Sequence, residues 1–463
     1  MFRHHSLGLT ITRYIVACGA YLVFGEVNAA TAQRDSFSAL CTAPKEAEGV
    51  QETRPIKRTW TISRMQLIGG FRTPRGYFHP GKGKKANWKT TPLHTMAYSD
   101  GAIAIKCSRQ QITATMSGHA RGNLLIEFEV PNLSPVNQNP AKWLRAKRIV
   151  QGFSSWKGKP SDKLAITGLR HEAGRLIIGR YFRYDASGKH RHGTGVLADA
   201  TNISNSTFTG WLDTPGPSST GMGWVSPLPA PWQTQLQATH VMGGGAGWSI
   251  LSRDTIGPSA FTVTLHSLLQ ATKERPVNSR PRQNFPYPSV VGGTPDRRRT
   301  RRLLAGGFEI KRGSPGFKEI GPWPWPKRPV VWTALSQARY GVVLRDGTYL
   351  AVGNSAGERF GVGYKGPKSK TRPRGVDYWC GGYCPYDPKD RSVRYWLFDV
   401  RDWLSGGGSK AGRLIDTGIL PVPKSLAKKK IGGGDFDEKR GLLYLSHLRA
   451  DENNPVVSVW KVY

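Results

Sequence analysis

The chain has 463 residues and carries 67 Lys and Arg against 31 Asp and Glu, which gives a formal net charge of +36 at pH 7. Its 55 Gly, 32 Pro, 15 Trp, 16 Tyr and 16 Phe are typical of many short strands joined by turns and argue against a helical bundle. The charge favours polyanionic partners, but charge alone does not distinguish nucleic acid, acidic polysaccharide and anionic lipid.

The first 32 residues have the pattern of a secretory signal peptide. Arg3 and Arg13 precede an apolar stretch from Tyr14 to Phe24, and the small residues Ala30-Thr31-Ala32 form a plausible cleavage site. A membrane anchor is the alternative, but the apolar stretch is shorter than the ~20 residues that a spanning helix needs. We therefore expect a secreted or periplasmic protein with no membrane span after signal removal, and an N-terminal extension at residues 33–60.

Four cysteines remain after the leader: Cys41, Cys107, Cys380 and Cys384. An even number in an exported protein favours disulfides, with a local Cys380–Cys384 loop and a Cys41–Cys107 bridge as one arrangement, although the sequence does not fix the pairing. Zinc is the weaker alternative for Cys380 and Cys384, because no second pair of ligands stands at metal-site spacing. The sequence predicts neither a metal nor a cofactor.

One strand pattern recurs five times, in copies that begin near residues 101, 165, 241, 341 and 431. In the last copy, Ile431–Gly434 and a turn lead to the strand Leu442–Ser446 and then to Val456–Trp460. Repeated sheet units that cannot bury both faces alone stack around an axis in β-propellers. We therefore predict an all-β fold, a single β-propeller domain over residues 61–463 with about five blades (five to seven). A sixth blade is expected at 55–95 or 285–335, and a β-sandwich pair or a β-helix is the alternative.

Two assignments along the chain are less regular. In the third copy, Val241–Gly244 is assigned as the first strand, Trp248–Ser252 as the second and Ala260–Val263 as a further one. A Pro- and Arg-rich insertion, Arg275–Pro329, is expected to be an extended loop.

Four basic runs fall at turn-like positions: Lys82–Lys85, Arg297–Arg302, Lys368–Arg374 and Lys428–Lys430. Such runs often form only a solvated surface. The functional interpretation is polyanion binding, and export favours an acidic glycan over nucleic acid, for which no recognition motif is present.

The five copies agree at the end of the second strand, where a small residue is followed by a polar one: Gly118-His119, Gly179-Arg180, Ser252-Arg253, Gly353-Asn354 and Ser446-His447. Equivalent positions in a ring of blades surround a common axis, so these polar side chains are candidate ligand-binding residues, with Arg121, Tyr181, Asp254 and Arg449 close behind. The paired donors of Arg suit a carboxylate, sulfate or phosphate. Local pairing at strand ends is the alternative explanation.

The chain resembles a group of uncharacterised secreted bacterial proteins with propeller-like repeats. Gly118-His119 with Leu125–Phe128, Ser252-Arg253 with Gly257–Phe261, and the closing unit Ile431–Tyr463 carry the resemblance. It spans most of residues 65–463 and implies a propeller, but no activity.

The sequence thus predicts a secreted propeller that binds an anionic glycan or other polyanion. Catalytic residues stay unassigned, because no nucleophile elbow, phosphate loop or metalloprotease motif is present, and the isolated His190-Arg191-His192 is discounted as a metal site. The enzyme alternative is a polysaccharide lyase or hydrolase acting on an acidic glycan. A lyase would use His119, His447, Tyr181 and Arg253, whereas the acid-poor ring disfavours hydrolysis of neutral sugars. A protein-interaction scaffold is the third hypothesis.

Overall fold

The computed structural model describes residues 61–76, 94–108, 111–161, 164–182, 191–213, 221, 223–245, 257–284, 308–310, 317–319, 332–333, 335–359, 362–364, 383–385, 387–404 and 414–463. These residues form five four-stranded sheets and two two-stranded sheets. The larger sheets are the blades of a propeller, so the predicted all-β propeller is confirmed with five blades.

Strands are numbered along the chain, starting with β1 (Met65–Arg72), which belongs to the last blade. Blade 1 contains, from the axis outward, β2 (Ile103–Cys107), β3 (Ile112–Ser117), β4 (Leu125–Glu129) and β5 (Ile149–Ser154). Blade 2 contains β6 (Leu164–Glu172), β7 (Arg175–Phe182), β8 (His192–Leu197) and β9 (Phe208–Asp213). Blade 3 contains β10 (Trp224–Pro227), β11 (His240–Gly243), β12 (Ala260–Val263) and β13 (Ser279–Gln283).

Blades 4 and 5 complete the ring. Blade 4 contains β16 (Gln337–Val343), β17 (Thr348–Ala356), β20 (Arg391–Asp399) and β21 (Leu414–Ile419). Blade 5 contains β22 (Ile431–Asp437), β23 (Leu442–Asp451) and β24 (Asn454–Val462), with β1 as its outer strand. The two-stranded sheets pair β14 (Phe308–Ile310) with β15 (Phe317–Glu319), and β18 (Val362–Tyr364) with β19 (Tyr383–Pro385).

The helices among the described residues are short. Two are α-helical, α1 (Ala230–Leu236) and α2 (Leu265–Leu269), and three are 3₁₀ turns at Ile62–Arg64, Pro140–Lys142 and Val400–Trp403. None of the helices in the described ranges has the length and apolar character needed to cross a bilayer.

The ring closes through β1, which pairs antiparallel with β24 from Met65↔Val462 to Arg72↔Val456. The same strand reaches blade 1, because the Ala146 amide donates to the Arg72 carbonyl at 2.9 Å and the Arg72 Nε donates to the Trp143 carbonyl at 2.6 Å. One strand thereby joins the first blade to the last.

Large aromatic side chains fill the spaces between blades. Trp232, Trp332, Trp396 and Trp460 are each at most 1% exposed and belong to one core cluster that spans blades 3, 4 and 5. The high Trp and Tyr content noted in the sequence thus serves packing, since aromatics bury large areas on pleated surfaces.

Blade 3 differs from the sequence-based assignment. Its first strand is Trp224–Pro227, and His240–Gly243 is the second strand, so the prediction that Val241–Gly244 comes first was wrong by one strand. The true inner strand has only four residues and is followed by α1, which hides the usual strand–turn–strand pattern.

The segment predicted as an extended loop begins instead with a strand. Ser279–Gln283 pairs with Ala260–Val263 as the outer strand of blade 3. Its sequence, Ser-Arg-Pro-Arg-Gln, has no strand-forming apolar residue and includes a proline. An edge strand tolerates proline and contributes little to the core, so this composition still forms a strand.

The expected sixth blade is not formed by the described residues of either candidate region. Within 55–95, the strand Met65–Arg72 completes blade 5, and within 285–335 the described strands form only the β14–β15 pair. Residues 1–60, including the predicted leader, extension and Cys41, lie outside the described residues, so those predictions and the disulfide pairing stay predictions.

Candidate functional site

The upper end of each blade is defined here as the end where the inner strand begins and the second strand finishes. Three blades have a bulge there, with the pairing shifted at Ile166/Gly168, Ala338/Tyr340 and Ile431/Gly433. The residues opposite these bulges are Gly179, Gly353 and Ser446, the small members of the repeated doublets. A Cβ atom at Gly353 would collide with the carbonyl oxygen of Gln337, so the bulge requires a small residue.

The polar members of two doublets are built into the scaffold. The Asn354 amide donates to the Ile431 carbonyl at 2.9 Å and accepts from the Ile431 amide at 2.7 Å, which ties blade 4 to blade 5. His447 is fully buried, with Nε2 2.8 Å from the Ser458 hydroxyl. Burial lowers the pKa of His447 to about 4, so it is neutral at pH 7 and closed to solvent.

The burial of His447 excludes it as a catalytic residue of the predicted lyase. A general base must reach a substrate proton within hydrogen-bond distance, and a side chain with 0% exposure does not. Tyr181, its expected companion, is 8% exposed and packs on Ala165.

Arg180 lies apart from the other doublet residues, on blade 2. Its guanidinium carbon stands 4.0 Å from the ring centroid of Trp211, and its Nε donates to the His192 carbonyl at 3.0 Å. Burial lowers the pKa of Arg180 to about 10. Arg253 and Asp254 lie outside the described residues, and the second strand of blade 3 ends at Gly243, so the alignment that made Arg253 equivalent to the other four was wrong.

Three of the predicted residues do come together, between blades 5 and 1. His119, which is 6% exposed, accepts a hydrogen bond from the Arg121 amide at Nδ1, 3.1 Å away. Its ring lies 5.8 Å from that of Tyr98, and the Arg449 guanidinium carbon lies 4.9 Å from the Tyr98 ring centroid. Tyr98 was missed in the sequence because it belongs to no repeated strand.

A cationic cleft opens at the upper end between blades 4 and 5. Its charged and polar lining consists of Gln337, Asn354, Ser355, Arg391, Ser392 and Lys428–Lys430, and the rest is Leu335, Ala356 and Val393. The lysines come from the loop before β22 and Arg391 begins β20. Of the four basic runs in the sequence, Lys428–Lys430 is the one that the structure describes, and its position directly before an inner strand was the signal for this site.

Positive charges are crowded at this cleft. The pKa of Lys430 falls to about 8 because of partial burial, and then because of the positive charges of Arg339, Arg391 and Arg449. Burial is the larger cause of this shift, and because solvent reaches Lys430, screening weakens the contribution of the three arginines, which acts in the same direction. Such an arrangement favours an anion, whose charge would relieve the repulsion.

The cleft is linked to the cluster around Tyr98. Lys429 Nζ donates to the Arg449 carbonyl at 2.8 Å, and Arg449 in turn stacks on Tyr98. The Lys428–Lys430 loop, Arg449, Tyr98 and His119 therefore form one continuous chain of contacts along the upper end of blades 4, 5 and 1.

A second charged cluster lies at the opposite, lower end of the inner strands. Arg170 of β6 donates to Asp435 of β22 at 2.8 Å and lies 2.8 Å from Glu172, while the Ile105 amide of β2 donates to Asp435 at 2.7 Å. His240 of β11 stands 3.3 Å from Glu172. Although burial raises the pKa of Glu172, hydrogen bonding to His240 and the charge of Arg170 lower it to about 2. These contacts join blades 1, 2, 3 and 5.

Among the described residues, no group of three or more His, Cys, Asp or Glu side chains is placed to hold a metal ion. The upper cleft is rich in donors and has no carboxylate among its lining residues. The chemistry this lining supports is anion recognition.

Comparison with known proteins gives little further guidance. No protein-family profile matches the chain, and no curated protein matches it in sequence. Among solved structures, a member of the DUF4221 family from Bacteroides vulgatus is 9% identical with a TM-score of 0.31, over 86% of this chain and 98% of that one.

Two glycoside-processing enzymes give similar values. An endo-arabinase from Bacteroides thetaiotaomicron is 12% identical with a TM-score of 0.31, over 81% of this chain and 97% of that one. A β-xylosidase/α-arabinofuranosidase from a compost microbial metagenome is 10% identical with a TM-score of 0.28, over 80% and 92%. Similarities this weak carry no conclusion about activity.

Proposed function

We propose that this protein binds an anionic glycan through the cationic cleft between blades 4 and 5. The observation that carries the proposal is the convergence of Arg391 and Lys428–Lys430 with the partly exposed residues Gln337 and Ser392 on one concave surface. Lysine and arginine pair with sulfate and carboxylate groups, and hydroxyl and amide groups suit the hydroxyls of sugars.

A glycan is preferred over a nucleic acid because the leader-like residues 1–32 predict export, which would place the protein among envelope or extracellular polyanions. We therefore propose both that the protein is exported and that its ligand is an anionic glycan.

The net charge of +36 makes the test demanding, because any polyanion will be attracted at low salt. We therefore specify a comparison of two lysines in one loop at about 150 mM salt, where exposed charges are screened beyond about 8 Å. Lys430 lines the cleft and Lys424 does not. Both variants, Lys430→Met and Lys424→Met, remove one positive charge.

Titration calorimetry with heparin, and with neutral dextran as the inert polymer, measures the effect. We expect Lys430→Met to weaken heparin binding about tenfold and Lys424→Met less than about twofold. Equal losses in the two variants would show that bulk charge, not the cleft, binds the polymer.

The pH dependence gives an independent readout of the same site. Because the pKa of Lys430 is lowered to about 8, the wild type should lose affinity between pH 7 and pH 9 as this ammonium deprotonates. Lys430→Arg keeps its charge over this range and should bind equally at both pH values. If single-stranded DNA of matched charge binds as tightly as heparin and responds identically to the variants, the preference for a glycan is wrong.

A further inference from the structure

The cluster around Tyr98 has a geometry that the cationic cleft alone does not explain. Tyr98 is 43% exposed, although it contacts Arg449 through its ring and meets His119 edge-on at 64°. A large aromatic side chain is thereby fixed in position while much of its surface stays open to solvent.

The backbone at this cluster is strained. Tyr98 has a φ of 57° and Arg449 a φ of 52°, and these two contacting residues are among six non-glycine residues with left-handed φ in the described part of the chain. A bulky residue in this region is disfavoured relative to glycine, and such strain collects at functional sites. The Tyr98 amide donates to the Asn453 carbonyl at 2.9 Å and the Ala120 amide donates to the Tyr98 carbonyl at 3.2 Å, so neighbouring loops enforce the conformation.

The position of the cluster connects it to the cleft. The Arg449 carbonyl accepts a hydrogen bond from Lys429 of the cleft loop, and the Arg449 guanidinium lies against the Tyr98 ring, which in turn meets His119. A ligand that fills the cleft and extends past Arg449 meets the Tyr98 ring next. Aromatic rings pack well on the apolar face of a flat or chair-shaped ring.

We infer that Tyr98, held by Arg449, is a stacking subsite for a pyranose ring, so that the ligand is a chain of acidic sugars that runs from the cleft to blade 1. This inference rests on the proposed function and names its substrate class more closely. The competing explanation is that Tyr98 only supports the loop between blades 5 and 1.

Two probes of similar charge separate these explanations. A heparin octasaccharide carries anionic groups on sugar rings, whereas linear polyphosphate carries charge without any ring. We expect Tyr98→Ala to weaken octasaccharide binding about tenfold and to change polyphosphate binding less than about twofold. Tyr98→Trp, which keeps an aromatic face, should restore octasaccharide binding. Tyr463→Ala is the matched control, since Tyr463 is an exposed tyrosine outside this cluster.

Each other outcome overturns the inference. If Tyr98→Ala weakens the binding of both probes equally and lowers the midpoint of thermal unfolding, Tyr98 is a structural support. If Lys430→Met weakens both probes and Tyr98→Ala weakens neither, the cleft stands and the stacking subsite falls. If wild-type protein binds neither probe at about 150 mM salt, the proposed function itself fails, and this inference with it.

Discussion

In two blades, the polar residue of the repeated doublet serves the scaffold. Asn354 and His447 follow a small residue in two blades, and both are 5% exposed or less. Tyr98 and Lys430 belong to no repeated position and are open to solvent. At these two positions, regular occurrence along the chain identified polar groups that satisfy strand ends.

His447 makes the protein sensitive to mild acid. Its pKa is lowered from 6.5 to about 4, so its contribution to stability is complete above pH 6.5 and is lost as the pH falls to 4. A shift of this size corresponds to about 3 kcal/mol at full burial. We expect the free energy of unfolding of His447→Gln to fall less steeply over this window than that of the wild type.

Urea titrations at several pH values measure the slope. His171, whose burial also lowers its pKa to about 4, keeps part of the acid sensitivity in the variant. His266→Gln removes an exposed histidine and should leave the slope unchanged. A variant slope equal to that of the wild type would show that His447 takes up its proton without unfolding.

At the scale of the blade, the bulge in the inner strand explains why the residue opposite it is small. Because a Cβ atom at Gly353 would collide with the Gln337 carbonyl oxygen, Gly353→Ala should separate the first two strands of blade 4. We expect a loss of about 2 kcal/mol in the free energy of unfolding. Gly152→Ala, in the outer strand of blade 1 with no atom within 4 Å of the added carbon, should change it by less than about 0.5 kcal/mol. Similar effects at the two sites would refute the packing argument.

The blades could be predicted because strand alternation and turns are local in sequence. The inner strand of blade 3 was not predicted, because it is only four residues long and is separated from its partner strand by α1. The small residues of three doublets lie opposite a bulge. A small residue is needed at a bulge whether or not a ligand binds there, so the repeated doublet did not by itself predict a ring of ligand-binding residues. The contacts of Tyr98 with Arg449 join residues far apart in sequence, and no local pattern reveals them.

At the level of the whole molecule, two devices close the ring: the pairing of β1 with β24 at the periphery and the Arg170–Asp435 pair among the inner strands. The two devices differ in the energetic cost of burying their polar groups. The β1 strand adds backbone hydrogen bonds at an edge, whereas Asp435 is 1% exposed and burial raises its pKa, so its charge depends on Arg170. The phenol of Tyr340 from blade 4 is buried beside this pair, and burial raises its pKa as well.

Breaking the inner pair should therefore destabilise all blades together. Arg170→Met leaves Asp435 buried without its partner, and we expect a loss of about 3–5 kcal/mol in the free energy of unfolding in urea. Replacing both residues, as Arg170→Met with Asp435→Leu, removes the stranded charge and should recover part of that loss. Arg148→Met breaks an ion pair with Glu129 in which the arginine is 77% exposed, and should cost less than about 1 kcal/mol. If Arg170→Met costs no more than Arg148→Met, the inner charges do not hold the ring, and closure depends on β1 and the aromatic core between blades.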